Sequence, residues 1–239
     1  MIPIQETRSF HNVKSYLERA GSTPSYEVLN GLEGIVNGIA RGEIFADPQE
    51  IAYFQVLLEL YKTHFGLSRS FDEIQGTVFP QNPKYASAIA CAVVNTILDY
   101  EKILTGKDPG HKRSETAIKE EDFDGNVIAK ARSQFGRFKN YIVRASKSNN
   151  MVTKESADAL SALAGIYKQA SQEDVALGLH YLFFRTMSEL AQHQLRLKST
   201  LGKIGESSLS SQLEKYDFGQ KILDIALTTV SKYYDKVRS

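Results

Sequence analysis

An all-α fold is what the sequence predicts: two packed multi-helix subdomains joined by a charged linker, plus a C-terminal helix. Three observations predict it. Apolar residues recur at three- and four-residue spacing along most of the chain. Start and stop signals bracket those runs, and convincing strand alternation is absent. One compositional break, the charged and Gly-Pro-punctuated "TGKDPGHKRSETAIKEED", sets the division. The expected organisation is an N-terminal helical subdomain at 1–104 and a linker at 105–122. A middle helical subdomain at 123–200 and a C-terminal helical segment at 201–239 complete it.

The elements follow in order. In "TPSYEVLNGLEGIVNGIARG", Thr23 is placed to cap a helix and Pro24 to take its first position. Val28, Leu29, Leu32, Ile35, Val36 and Ile39 then share a face, and Gly42 ends the helix. Gly31, Gly34 and Gly38 on that helix are expected to permit close packing. "DPQE" at 47–50 has capping-box form, and Ile51, Phe54, Leu57, Leu58, Tyr61 and Phe65 follow, with Gly66 read as the stop. Residues 67–83 read as mostly loop with room for one short helix, and 84–104 as a buried helix. In the middle part, helices are expected at about 126–146 and in "ESADALSALAGIYKQA", where Ala157, Leu160, Leu163, Ala164 and Tyr167 share a face. "SQED" at 171–174 offers a Ser-x-x-Asp capping box for the helix that opens with Val175. Val175–Phe184 is apolar on every side except at His180, which predicts burial on all sides. A last helix is expected over roughly 208–237.

Composition bounds the function. A hydrophobic content of 42% with 24% charged residues is ordinary for a globular chain and argues against wholesale disorder. Cys91 is the single cysteine, so an intrachain disulfide and a cysteine-based zinc site are excluded, and a reducing compartment is expected. "MIPIQETRSF" lacks a signal-peptide pattern, and no apolar run approaches the ~18 residues of a membrane span. The five histidines are scattered, with His180 read as a hydrogen-bonded core residue and Glu189 and His193 as an i,i+4 pair. Phosphate-binding, dinucleotide and nucleophile-elbow motifs are absent. The expectation is a non-enzyme with no cofactor and no metal.

What remains is charge. Residues 1–122 hold 12 Lys+Arg against 17 Asp+Glu, and residues 123–239 hold 17 against 11, so a net −5 faces a net +6. Such a division favours head-to-tail self-association, acidic front half against basic back half. From Gly125 to Lys154 there are seven basic residues and no acid. On a helical wheel Val127, Ile128, Ala131, Phe135, Phe138, Ile142 and Ala145 fill one arc, while Lys130, Arg132, Arg137, Lys139, Arg144 and Lys147 occupy the opposite half. A merely solvated face usually mixes signs, because opposite charges at i,i+4 support a helix. A one-sign face suits an anionic membrane, nucleic acid or an acidic protein. A second group, Arg196, Lys198 and Lys203, also fits the favourable macrodipole end of its helix. The candidate lipid- or RNA-binding surface is these nine residues. A nucleocapsid-like nucleic-acid binder is the alternative, but the phenylalanines of the basic helix point by period to the core rather than to bases.

The stretch "ADALSALAGIYKQASQEDVALGLHYLFFRTMSELAQHQLR" (157–196) resembles the middle-domain helix pair of influenza-type orthomyxovirus matrix proteins. The shared pattern is Ala157, Ala159, Leu160, Gly165-Ile166-Tyr167, Val175-Ala176, Gly178-Leu179, Leu190-Ala191, Gln194 and Arg196, and the helix at 126–146 stands where that family carries its basic helix. The resemblance implies a viral matrix protein, a non-enzymatic shell under the envelope. Such a shell binds the anionic inner leaflet, polymerises, and contacts the viral ribonucleoprotein or RNA. It also implies localisation in the virion beneath the envelope and, in the host cell, in the cytoplasm and at the inner face of the plasma membrane, with the nucleus left open. Arg137 and Lys139 would match the family's basic cluster, a dense run diluted here to "GRFKN". The family's Cys/His constellation has no cysteines here and only His193 nearby, so zinc is not carried over. These departures point to a distant, non-influenza member.

Overall fold

A computed structural model of the chain describes residues 1–21, 23–75, 83–108, 123–148, 152–172, 174–204 and 210–238. Its described residues are overwhelmingly helical, as the periodicity predicts. The elements are β1 (Ile2–Pro3), a 3-10 turn (Ile4–Glu6), α1 (Arg8–Ala20), α2 (Tyr26–Ala40), β2 (Ile44–Phe45), α3 (Pro48–Gln75), α4 (Pro83–Thr105), α5 (Gly125–Ser148), α6 (Lys154–Ala170), α7 (Val175–Ile204), α8 (Ser210–Lys215) and α9 (Phe218–Arg238). They group into two compact units drawn from non-consecutive stretches. Unit 1 is 1–65, 97–110 and 196–229, and unit 2 is 66–96, 111–195 and 230–239. The expected linker lies, from residue 109 to 122, outside the described residues.

Unit 1 is built on close approach and one polar knot. Thr7 caps α1 by accepting from the Phe10 N–H at 3.2 Å, and Val13 and Leu17 are buried one turn apart. A Cβ on Gly31 would meet Val13 Cγ2, and one on Gly38 would lie 2.6 Å from Ile44 Cδ1, so these glycines let α2 press against α1 and β2. The strands form a parallel pair with Ile2 opposite Ile44. Asp47 and Glu50 make the reciprocal capping box: the Glu50 N–H donates to Asp47 Oδ1 at 2.8 Å and the Asp47 N–H to Glu50 Oε2 at 3.1 Å. The other Glu50 oxygen accepts from Lys215 Nζ at 2.6 Å, from the Tyr216 hydroxyl at 2.8 Å and, more distantly, from Gln5 Nε2. Around this knot pack Phe10, Tyr53, Phe54, Tyr216 and Phe218, edge-to-face or stacked.

Four expectations about where helices begin and end are corrected. The helix expected at Thr23-Pro24 begins instead at Tyr26, because Ser25 is held extended while its N–H donates to the Tyr61 hydroxyl at 2.7 Å. Gly66 does not end α3, which runs on to Gln75. A Cβ there would overlap the His193 ring within unit 2, so the glycine answers close packing and not termination. Ser171 closes α6 rather than opening α7, its Oγ donating to Lys168 O at 2.9 Å. The last helix is divided at Tyr216-Asp217 into α8 and α9, where the Tyr216 ring leaves the helix path to join the Glu50 knot.

Unit 2 packs α5 against α6. On α6 the expected face is buried: Ala157, Leu160, Leu163, Ala164 and Tyr167. Phe123, Phe135, Phe138, Tyr167, Phe183 and Phe184 form its aromatic core. Fully buried Gln194 ties three segments. Its Oε1 accepts from the Val152 N–H and its Nε2 donates to Thr96 Oγ1, both at 2.7 Å.

The expectation that Val175–Phe184 is buried on every side is overturned. Phe183 and Phe184 are buried, but Leu179 is 37% exposed and Leu177, Tyr181 and Leu182 are only half-buried. An all-round apolar helix needs neighbours all round, and α7 meets its aromatic partners along the Phe183–Phe184 side. No helix among the described residues is long and apolar enough to cross a membrane.

Candidate functional site

The candidate surface is the outer side of α5, and the helix is fixed at its start by Asp124. The Asn126 and Val127 N–H groups donate to Asp124 Oδ1 at 2.9 and 3.1 Å, and the Ile128 N–H donates to Asp124 O. An aspartate cap satisfies first-turn donors and complements the positive end of the macrodipole. Phe123, directly before it, sits 5.7 Å from the Phe135 ring and 5.3 Å from Phe184, which anchors the helix in the unit 2 core.

From there the 3.6-residue period sorts the side chains. Val127, Ile128, Ala131, Phe135 and Phe138 are buried, as is Tyr141. Lys130, Arg132 and Arg137 are exposed, and Lys139 is half-exposed at the flank. Among the described residues Lys130, Arg132 and Arg137 make no ion pair. That contrasts with α6 and α7 of the same unit, where Lys154 pairs with Asp158 at 2.9 Å and Arg185 with Glu189 at 3.5 Å. The i,i+4 logic that arranges those two pairs has no acid to use on α5.

Sequence reasoning missed the polar residues between the cations. Asn126, Lys130, Ser133, Arg137 and Asn140 are all exposed and fall at three- and four-residue spacing. They form one ridge, with Lys130 and Arg137 two turns, about 10.5 Å, apart. Their spacing was the signal, but a search for charge passes over neutral side chains. Every member of the ridge carries a hydrogen-bond donor, and none is a carboxylate.

The nine expected residues divide between the two units. Lys130, Arg132, Arg137 and Lys139 share the α5 face in unit 2. Arg144 and Lys147 lie on the α5 backbone, with side chains outside the described residues. Arg196 and Lys198 are exposed on the part of α7 that belongs to unit 1, and the Lys203 side chain lies outside the described residues.

The remaining chemistry-bearing groups serve packing. His180 is half-buried, its ring stacked on Tyr167 at 5.1 Å, and its Nδ1 has no hydrogen-bond partner, so ring stacking holds it rather than the expected hydrogen bond. Burial pulls its pKa down, with nearby Asp124 opposing. His193 lies against Gly66. Among the described residues no group of three His, Cys, Asp or Glu is placed to hold a metal ion. Comparison of the chain with family models, curated proteins and solved structures finds no match.

Proposed function

We propose that the chain is a non-enzymatic, matrix-type viral protein that binds anionic membrane through the α5 face and assembles with copies of itself beneath an envelope. The observation that carries this reading is the α5 face itself: exposed Lys130, Arg132 and Arg137, with Lys139 at the flank, on a helix with no acid after its cap. Each lysine or arginine near an anionic surface is worth about 1 kcal/mol, so such a cluster supplies useful binding at low salt. The same helix buries Phe135, Phe138 and Tyr141, leaving no exposed aromatic among its described residues to stack on bases. That favours lipid over single-stranded nucleic acid. Self-assembly is supported by the −5 and +6 division of charge, and the ribonucleoprotein contact by the resemblance at 157–196.

Flotation of the purified chain with phosphatidylserine-containing and pure phosphatidylcholine vesicles tests the reading. Binding is expected only to the anionic vesicles, to fall as salt rises, and to be lost when Arg137, Lys139 and Arg144 are replaced by Glu. No flotation on either vesicle at low salt sinks it. A gel shift on RNA without flotation moves the face to nucleic acid.

A further inference from the structure

The two basic clusters share a pattern that neither charge nor periodicity requires. Residues 130–137 read Lys-Ala-Arg-Ser-Gln-Phe-Gly-Arg, and residues 196–203 read Arg-Leu-Lys-Ser-Thr-Leu-Gly-Lys. Position for position both are cation, apolar, cation, serine, polar, apolar, glycine, cation. The serines are Ser133 on α5 and Ser199 on α7, and both are exposed. Ser133 Oγ donates to Gln134 Oε1 of the next residue at 2.6 Å, a contact that ties no other element. Each serine has a cation three residues before it, one residue before it and four residues after it.

We propose that Ser133 and Ser199 are phosphorylation sites for a basophilic serine kinase, and that phosphate on Ser133 switches the α5 face off. The second half rests on the anionic-surface reading above. The step transfers the γ-phosphoryl group of ATP to Ser133 Oγ; the bond to ADP breaks and the hydroxyl proton goes to the kinase's base. Kinases of this class recognise their serine through flanking cations, which both octets supply. No acid lies between Ser133 and Asp124 on one side or Glu155 on the other.

The consequence follows from helix geometry. Residues at i−3 and i+4 are the nearest neighbours on the ridge, and for Ser133 these are Lys130 and Arg137. A phosphoserine brings about −1.5 to −2 charge and three acceptor oxygens into their midst. It draws both cations into ion pairs within the helix and repels anionic headgroups. Nothing in the α5 core is disturbed, because Ser133 faces away from Ile128, Ala131 and Phe135.

The experiment treats the folded full chain with a kinase of the protein kinase C class and magnesium ATP, maps the label by mass spectrometry, and repeats flotation on phosphatidylserine vesicles. Because α5 must open locally for a kinase to take it, labelling is read on folded protein and compared with Ser133→Ala, Ser199→Ala and the double variant. The expected result is label at both serines and a ten- to thirtyfold loss of vesicle partition that requires Ser133. Ser133→Glu should reproduce part of the loss and the neutral Ser133→Gln none. Ser15→Glu, an equal charge change at an exposed position of α1, should leave partition within about twofold. Label at neither serine overturns the proposal, as does label at Ser133 that leaves partition unchanged. If unmodified protein fails to float while both serines are labelled, the membrane reading and the switch fail but the modification sites stand.

Discussion

Lys215 in unit 1 and Lys130 in unit 2 are treated in opposite ways by the fold. Lys215 reaches 2.6 Å from Glu50, a carboxylate that is only 7% exposed and that also takes the Tyr216 hydroxyl. Lys130 stands on α5 with Arg132 and Arg137, none of them ion-paired among the described residues. The first cation is held because the fold needs its partner satisfied: an unanswered buried carboxylate costs several kcal/mol. The others are exposed to water, which costs nothing and holds nothing. The contrast separates charges that build the molecule from charges available to something outside it.

The largest effect should come from breaking the first kind. Glu50→Ala removes the acceptor of Lys215 and Tyr216 together with one half of the capping box of α3. A loss of about 3–4 kcal/mol in urea unfolding is expected. A shift under about 1 kcal/mol would mean that the knot does not hold α8 and α9. Burial alone would raise the Glu50 carboxyl, but hydrogen bonds from Lys215, Tyr216 and the Asp47 N–H overcome it and leave it below the ordinary 4.5. A lowered carboxyl stabilises above its unfolded pKa and loses that contribution as pH falls through the folded one. The gap between wild type and Glu50→Gln should therefore narrow below about pH 4.5.

Next comes His64, fully buried in unit 1, with Nδ1 2.7 Å from the Thr229 hydroxyl and Nε2 unpartnered. Burial holds its pKa down at about 4, against an ordinary 6.5. The unfolded chain therefore binds the proton first, and stability present above pH 6.5 is lost as pH falls toward 4. By pH 4 that is about 3 kcal/mol. His64→Gln keeps a partner for Thr229 and cannot titrate. If its melting temperature tracks wild type through this window, His64 is not the group responsible.

Gln194 is the unit 2 counterpart, an interior group whose two ends are both answered. Gln194→Leu leaves the Val152 N–H without its acceptor and should cost about 2 kcal/mol. Thr96→Val, which removes the second contact and the hydroxyl's own bond to Ala92 O but leaves the Val152 N–H answered, should cost less. Equal losses in denaturant melts would contradict the geometry.

These three residues also mark where sequence reading ended. The sorting of α5 into buried and cationic sides was legible, because a 3.6-residue period is local and its apolar residues are regularly placed. The Asp47–Glu50 capping box was legible for the same reason: its partners are three residues apart. Nothing local, however, announces that Glu50 also meets residue 215, so one expected C-terminal helix became α8 and α9. Gly66 read as a stop because the His193 ring that needs its missing side chain lies 127 positions further on. Val175–Phe184 read as wholly buried because composition records what a helix offers and not how many neighbours come to cover it. On α5 itself, Asn126, Ser133 and Asn140 were passed over because they carry no charge.

The smallest effect is expected where the charge is densest. Reversing Lys130 and Arg137 together removes no ion pair or hydrogen bond with any described residue, and exposed substitutions of that kind stay within about 0.5 kcal/mol. The residues three and four positions away, Asn126, Val127, Ser133, Gln134, Asn140 and Tyr141, carry no charge, so new acids there neither gain nor lose an i,i+3 or i,i+4 ion pair. Equal urea midpoints for wild type and the Lys130→Glu, Arg137→Glu double variant, beside lost flotation, would separate binding from folding as cleanly as the Lys215 comparison implies. An unfolding free energy that falls by more than about 1 kcal/mol would show that these cations hold the fold after all, and that the lost flotation reports damage rather than a removed contact. The free energy that Glu50 contributes to unit 1 would then have a counterpart on α5, and the face would no longer stand apart from the architecture that carries it.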